Sequence, residues 1–400
     1  MNGNCAAIPL SIPNLRGREL EYVTRAVETE WVSTAGPYVA DFENSVANYV
    51  GTPGAVACQS GTAGIHIALL LCGVEQGDMV VVPTLTFIAA VNPVKYIGAE
   101  PVFVDCDDSL CIDPVKLERF CAEECELRDN VLYHKATGRR IPAMVIVHVF
   151  GNMADMERIL WIASTYRFKV VEDATEALGT KYTEGPYIGC FAGTMGNIGV
   201  YSFNGNKIVT TGGGGMIVSM DEELLRRAKH LTTQAKADEA NFIHDEIGYN
   251  YRLTNLQAAL GLAQMEQLED FIAVKRRNFE RYKRALSEVP GLFMPEFRDG
   301  IRSNCWFYTL CCDPPYPLSR TELIDRLKER GIQARPIWGL IHEQKPYKGS
   351  LCYQIESAKK YWACVVNLPC STNLKEEDVD RVVNVIQRYG NESYRTLRAP

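Results

Sequence analysis

Short, continuously apolar runs recur along the chain, separated by stretches in which apolar residues return every three or four positions. The runs are "MVVVP" (79–83), "PVFVD" (101–105), "AMVIVHVFG" (143–151), "FKVVEDA" (168–174) and "IGVYSF" (198–203). Unbroken apolar runs of this length predict strands buried on both faces. The intervening "NPVKYIG" and "ADMERILWIASTY" carry helical spacing. Strands alternating with helices predict an α/β domain whose mostly parallel sheet is covered on both sides. A further strand is expected at "GGMIVS" (214–219).

Two helices are expected over residues 17–50. In the second, Val39, Phe42, Val46 and Tyr49 share one face and Gly51 supplies the stop. In "CQSGTAGIHIALLLCG" Ser60 is the expected N-cap, with a helix from about Thr62 to Gly73. A polar insertion at 126–142, "ELRDNVLYHKATGRRIP", interrupts the alternation and reads as a hairpin turning at "ATG". One long amphipathic helix is predicted from about residue 253. Beyond 290 the pattern mixes a strand ("CWFYTLCCD"), a capped helix ("SRTELIDRLKERGI") and a final helix ("KEEDVDRVVNVIQRYG"). The expected division is a large domain, 1–265, and a small α+β domain, 266–400.

A length of 400 residues supports two domains, since single cores stop growing well below that size. No window offers about 18 uncharged apolar residues, so no membrane span is expected. The start, "MNGNCAAIPLSIPN", lacks the basic segment and apolar run of a secretory signal, which predicts a cytoplasmic protein. A net charge of −7 argues against nucleic acid as a partner. The 14 cysteines are scattered without a CxxC pair; Cys121 and Cys125 lie one helical turn apart and Cys311 and Cys312 are adjacent. No metal site is expected from them, and free thiols in a reducing compartment are the better reading. The sequon at Asn391 is then idle.

Ligands of doubly wound sheets bind at the carboxyl ends of the strands, and four polar signals fall there. "SGTAG" (60–64) opens a helix and could cradle a phosphate, although Ser and Thr at helix starts cap more often than they bind. Asp173 follows an apolar strand and could pair with a protonated ring nitrogen or merely cap a helix. Phe87, just past a strand, could stack on a flat ligand or fill core. Lys207 lies in "YSFNGNKIVTTGGGG" (201–215), close after Ser202 and before four glycines. Taken at random, a lysine is a solvated surface charge. A phosphate cradle, a stacking face, a carboxylate for a pyridinium and an amine for a Schiff base together meet the needs of pyridoxal phosphate. Gly212–Gly215 would let the backbone turn and pass close to the cofactor without Cβ clashes.

These segments resemble the DegT/StrS-type sugar aminotransferases. The resemblance extends through "WVSTAGPYVADFE", "PTLTFIAAVNPVKYIGAEPVFVD", "VHVFGNMADM", "VVEDATEALG", "GYNYRLTNLQAALGLAQ" and "NLPCSTNLKEEDVDRV". It implies pyridoxal-phosphate fold type I, aspartate aminotransferase-like, with a mostly parallel seven-stranded sheet and a smaller C-terminal domain. It implies Lys207 as the Schiff-base lysine, Asp173 as partner of the pyridine nitrogen and Phe87 on the ring face. Gly61, Thr62, Ala63 and Ser202 would hold the phosphate. Asn250 would reach the phosphate of the neighbouring subunit, making a homodimer with shared sites. Thr34, His148 and His342 fall in blocks that line the sugar site in the family.

Two departures stand out. Glu176 occupies a position where many members have glutamine against the ring hydroxyl, so that contact must differ in protonation or partner. The insertion, with "FNGNK" and "EDATEALG", resembles the aminotransferases of bacillosamine and legionaminic acid synthesis. That subgroup implies L-glutamate as amino donor, UDP-4-keto-6-deoxy-N-acetylglucosamine as acceptor and ping-pong kinetics. The alternatives are a GDP- or dTDP-linked 3-keto or 4-keto sugar, or a non-catalytic binding protein, which the Lys207–Asp173 pair argues against. A dehydratase would carry histidine in place of Lys207.

Overall fold

The computed structural model describes residues 6–397, with side chains described through Gly390. The extreme N-terminus and the Asn391 side chain lie outside the described residues. Eight strands form the central sheet: β1 (Ala55–Cys58), β2 (Met79–Pro83), β3 (Glu100–Val104), β4 (Ala143–Val147), β5 (Lys169–Asp173), β6 (Ile198–Ser202), β7 (Gly215–Val218) and β8 (Leu351–Tyr353). Their spatial order is β1-β7-β6-β5-β4-β2-β3-β8. Only β7 runs against its neighbours; every other pairing is parallel. Apart from β8, the strands are buried along almost their whole length, as their unbroken apolar runs require.

The expected seven strands are present, and β8 is an addition. It comes from beyond residue 265 and pairs with β3. Three residues, "LCY", are too few to show a period in sequence. Ile8 likewise crosses the expected division, bridging to Ile332. Asp105, at the end of β3, ties the two parts further. Its carboxylate accepts the N–H groups of Glu356, Ser357 and Ala358, which open the helix Ser357–Cys364. Burial raises its pKa, but the Lys116 ammonium and these amides outweigh it and hold the carboxyl below its usual range.

A second, antiparallel sheet of four strands belongs to the C-terminal part: Leu292–Phe293, Tyr308–Cys312, Val365–Leu368 and Arg335–Pro336, in that order. Helices Arg320–Glu329 and Glu376–Leu397 complete it. The capping boxes explain two helix starts, Ser319 with Glu322 and Thr254 with Gln257.

Two expectations are corrected. The long helix is two helices, Asn255–Met265 and Leu268–Leu286. The break falls where Gln264 and Gln267 both turn their amides onto buried Glu19. The insertion does form a hairpin, Cys125–Arg128 against Val131–His134, but it turns at Asp129–Asn130 rather than at "ATG". Both turn residues take positive φ (51° and 61°), the conformation of a type I′ turn that Asn and Asp tolerate. "ATG" makes the next reversal, with Gly138 at φ 65°. All the cysteines described are free.

Candidate active site

The register of the central sheet brings the candidate residues to one edge. Asp173 lies opposite Val147 and Val200, Ser202 opposite Gly215, and Gly215 opposite Cys58, just ahead of Ser60. A cavity of about 650 Å³ opens there. It is lined by Ser60, Gly61, Thr62, Phe87, Asp173, Glu176, Ser202 and Lys207 from the large-domain side. Trp306, Arg335 and Asn367 line it from the other side.

Ser60 caps the helix Gly61–Leu71 by accepting the N–H of Ala63 at 3.1 Å. The N–H groups of Gly61 and Thr62 have no acceptor among the described residues and remain available to an anion. Gly61 must stay a glycine: a Cβ would stand 2.8 Å from Thr175 Cγ2 and 3.1 Å from Ser202 Cβ, filling the cradle. Gly215 is held as firmly, since its Cβ would meet the Ser60 backbone at 2.6 Å. The glycine run thus lets β7 press against the phosphate-type turn, while Gly213 and Gly214 border the cavity.

Lys207 follows β6 in a turn closed by its N–H on the Asn204 carbonyl, 2.9 Å. Its Nζ stands 3.5 Å from Glu176 Oε1 and 4.1 Å from the centroid of the Trp306 ring. Trp306 is fixed in turn by its Nε1–H on the Asn206 carbonyl, 2.8 Å. Glu176 is buried, and its other oxygen accepts the Phe150 N–H at 2.8 Å. Burial pushes its pKa up to about 7, against the opposing charge of Lys207. Asp173 is buried at the floor and accepts the Thr175 N–H at 3.1 Å. Burial raises its pKa too, opposed by Thr175 and by the charges of Lys207 and His148. A cationic ring nitrogen arriving beside it would restore the ionised form.

Not every expected residue enters this cavity. Ala63 serves through its capped N–H and lies behind the wall. His148 is fully buried behind Asp173 rather than facing a sugar: its Nδ1 accepts the Ala154 N–H at 3.1 Å and its Nε2 therefore donates to Glu172, 2.9 Å away. His342 is half-buried against Thr84 Oγ1 at 2.5 Å, with burial lowering its pKa. Thr34 is also outside this chain's cavity, as is Asn250, which is exposed and pairs through its backbone with Thr233. Sequence reasoning missed Trp306, Arg335 and Asn367. Their only signal was position, immediately before or within short strands of the small sheet.

The polar inventory of the cavity fits pyridoxal phosphate. Unpaired amides and hydroxyls suit its phosphate, buried Asp173 its ring nitrogen, and the lysine between them its aldehyde. A doubly wound sheet with this cavity at its carboxyl edge defines a pyridoxal-phosphate enzyme of fold type I. Residues 13–387 match the model of the DegT/DnrJ/EryC1/StrS aminotransferase family, and the chain belongs to that family. It is similar to EpsN of Bacillus subtilis, described as a candidate pyridoxal phosphate-dependent aminotransferase, with 39% identity over 95% of both chains. Similarity to the GDP-perosamine synthase of Caulobacter vibrioides is 34% identity over 95% of this chain and 98% of that one. Among solved structures, a DegT DnrJ EryC1 StrS aminotransferase from Brucella abortus superposes with a TM-score of 0.84. It is 28% identical and covers 93% of this chain and 95% of its own. The chain is therefore a sugar aminotransferase that uses pyridoxal phosphate. No helix among the described residues is long and apolar enough to cross a membrane.

Proposed function

We propose that the protein moves an amino group from L-glutamate to C4 of UDP-4-keto-6-deoxy-N-acetylglucosamine, giving a UDP-4-amino-4,6-dideoxy sugar for a surface glycan. The observation that carries the reaction type is that Lys207 and buried Asp173 line one cavity, with Glu176 Oε1 3.5 Å from the lysine Nζ. Bound pyridoxal phosphate supplies an aldehyde for the incoming amine and a ring that withdraws electrons. Gly61, Thr62 and Ser202 would hold its phosphate, and Phe87, about half exposed and lining the cavity, would cover a ring face. Asp173 would pair with the ring nitrogen and favour its protonated form. Lys207 Nζ takes the proton from Cα of the donor and, in the second half of the cycle, delivers one to C4 of the sugar. The tilt toward a UDP sugar comes from the resemblance of the insertion at 126–142, "FNGNK" and "EDATEALG" to the bacillosamine and legionaminic acid subgroup.

The similarity to a GDP-perosamine synthase favours a second reading, in which the acceptor is a GDP-linked 4-keto sugar. Both readings require a homodimer if Asn250 is to serve a neighbouring site. Asn250 is exposed in this chain, and nearby Phe242 and Ile247 are 75% and 84% exposed, an apolar rim suited to a second copy. A panel of UDP-, GDP- and dTDP-linked keto sugars, scored for amine product with L-glutamate, decides the acceptor. Turnover only with the GDP sugar would replace the UDP reading by the second. Intersecting initial-velocity lines rather than parallel ones would overturn the two-stage scheme.

A further inference from the structure

We propose that Asn304 is a positioning residue for the amino-group transfer, one buried amide that sets the spacing of the two groups flanking the Lys207 amine. This rests on the reading of Lys207 as the reacting amine. The two groups come from different parts of the chain. Glu176 Oε1 lies 3.5 Å from Lys207 Nζ, and the centroid of the Trp306 ring lies 4.1 Å from it. Asn304 is fully buried and bonds to the backbone of both residues. Its amide nitrogen donates to the Glu176 carbonyl at 3.0 Å and to the Leu178 carbonyl at 2.9 Å. Its Oδ1 accepts the Trp306 N–H at 3.0 Å.

The partners settle the orientation of the amide. Two carbonyls need donors and one N–H needs an acceptor, so a flipped amide would set oxygen against oxygen. The side chain has no room to turn away: a Cβ on Gly151 would stand 2.0 Å from its Oδ1. Trp306 is held at two further points. Its carbonyl accepts from the buried Lys275 Nζ at 3.0 Å, and its indole N–H donates to the Asn206 carbonyl at 2.8 Å. Asn304 completes this set and ties the Trp306 backbone to the Glu176 turn. Between them Cys305 takes φ 50°, a left-handed conformation that a residue with a side chain keeps where its surroundings impose it.

The chemistry explains why this spacing matters. A lysine amine ends a flexible four-carbon stem and is aimed by what surrounds it. An amine that takes a proton from one carbon and delivers one to another works over a narrow range of distances. A displacement of about 1 Å, even from a change remote from the reacting atoms, costs up to about 100-fold in rate. Glu176 and Trp306 confine Nζ from two sides, and the Asn304 amide keeps those sides from moving apart.

Stopped-flow absorbance of pyridoxal-phosphate-loaded protein mixed with L-glutamate reads the first half of the reaction. Asn304→Leu keeps the shape of the side chain and loses all three bonds. It should slow conversion at saturating donor about 10- to 100-fold, with KM for L-glutamate little changed. Asn304→Asp keeps the acceptor for Trp306 but turns oxygen toward both carbonyls. Burial and those carbonyls favour its protonated form, which donates one bond back. Its deficit should be small at low pH and grow as pH rises, while that of Asn304→Leu stays constant relative to wild type. Titration of the cofactor-free variants with pyridoxal phosphate should give nearly wild-type affinity. Thr180→Val removes the acceptor of the Asn304 backbone N–H, leaves the amide alone, and should react at nearly the wild-type rate. Conversion by Asn304→Leu at the wild-type rate overturns the proposal, as does an equal deficit in Thr180→Val, which would make packing the cause. If Asn304→Leu does not fold, the Asn304→Asp series decides: a deficit that stays constant with pH overturns the link. Absence of conversion in the wild type is a different result, since it overturns the transaminase reading and this proposal with it.

Discussion

The two walls of the cavity are built by different means. The large-domain wall consists of strand ends and the turns that follow them: Ser60–Thr62 after β1, Asp173 at the end of β5, Ser202 and Lys207 after β6. Its two carboxyls, Asp173 and Glu176, are buried and shifted upward by burial, and Gly61 and Gly215 cannot gain a Cβ. The small-domain wall is a face of short strands carrying Trp306, exposed Arg335 and Asn367, whose Oδ1 is buried without a partner among the described residues. Unmatched groups sit on both walls, the Gly61 and Thr62 amides and Asn206 Oδ1 on one and Asn367 Oδ1 on the other. What differs is the support: the large-domain wall is set by parallel strand ends and by Gly61 and Gly215, which admit no Cβ, and the small-domain wall by short antiparallel strands.

The largest test of that contrast is Lys207→Ala. On the proposed mechanism it removes both the nucleophile and the proton carrier, so turnover should fall by about 10⁴-fold or more, measured as amine product per enzyme. Retention of appreciable turnover would mean that the large-domain wall does not carry the chemistry. Trp306→Ala should lower turnover about 10- to 100-fold by freeing Lys207 from its 4.1 Å stacking contact. Bound cofactor, counted by absorbance, should stay at one per chain. Loss of the cofactor instead would erase the distinction between the walls.

How much of this was legible follows the same division. Asp173 and Ser202 could be placed because each ends an apolar run whose end sets its position, and Lys207 because it lies in the turn just after one; the parallel register of β5 and β6 then brings these ends together. Ser60 announced itself as a cap. Trp306 and Asn367 could not be found this way. They border strands of four or five residues, and it is a sheet assembled from residues 292–368 that turns them toward Lys207. His148 misled for a related reason: it follows β4 just as Phe87 follows β2, but Glu172 and the Ala154 amide draw it inward. The helix break at Glu266–Gln267 was hidden because no Gly or Pro marks it; the cause is a long-range contact to Glu19.

Glu176→Gln sharpens the claim that the large-domain wall is strained before the cofactor arrives. In the folded chain the carboxyl's pKa is pushed up to about 7, above its ordinary 4.5. Between those values the folded state binds the proton more tightly than the unfolded state. Its stabilising contribution is complete below about pH 4.5 and is lost as pH rises through about 7. The loss is on the order of 3 kcal/mol. Urea unfolding of cofactor-free protein should therefore show wild type losing stability relative to Glu176→Gln between pH 5 and pH 8. Parallel profiles would show that Glu176 bears no such burden.

The smallest effect is expected from Ser60→Ala. The hydroxyl accepts only the Ala63 N–H, at 3.1 Å, while the free amides of Gly61 and Thr62 belong to the backbone. Losing the cap should cost about 1 kcal/mol of unfolding free energy. Cofactor affinity should fall only a few-fold, since the amides remain in place, held by the contact between Gly215 and the Ser60 backbone that admits no Cβ. Gly215→Ala separates the two contributions. It forces that backbone apart and should weaken the cofactor more than Ser60→Ala does, read from equilibrium titration of both variants. If the order were reversed, the hydroxyl rather than the backbone would be holding the phosphate, and the large-domain wall would depend on side chains as the small-domain wall does.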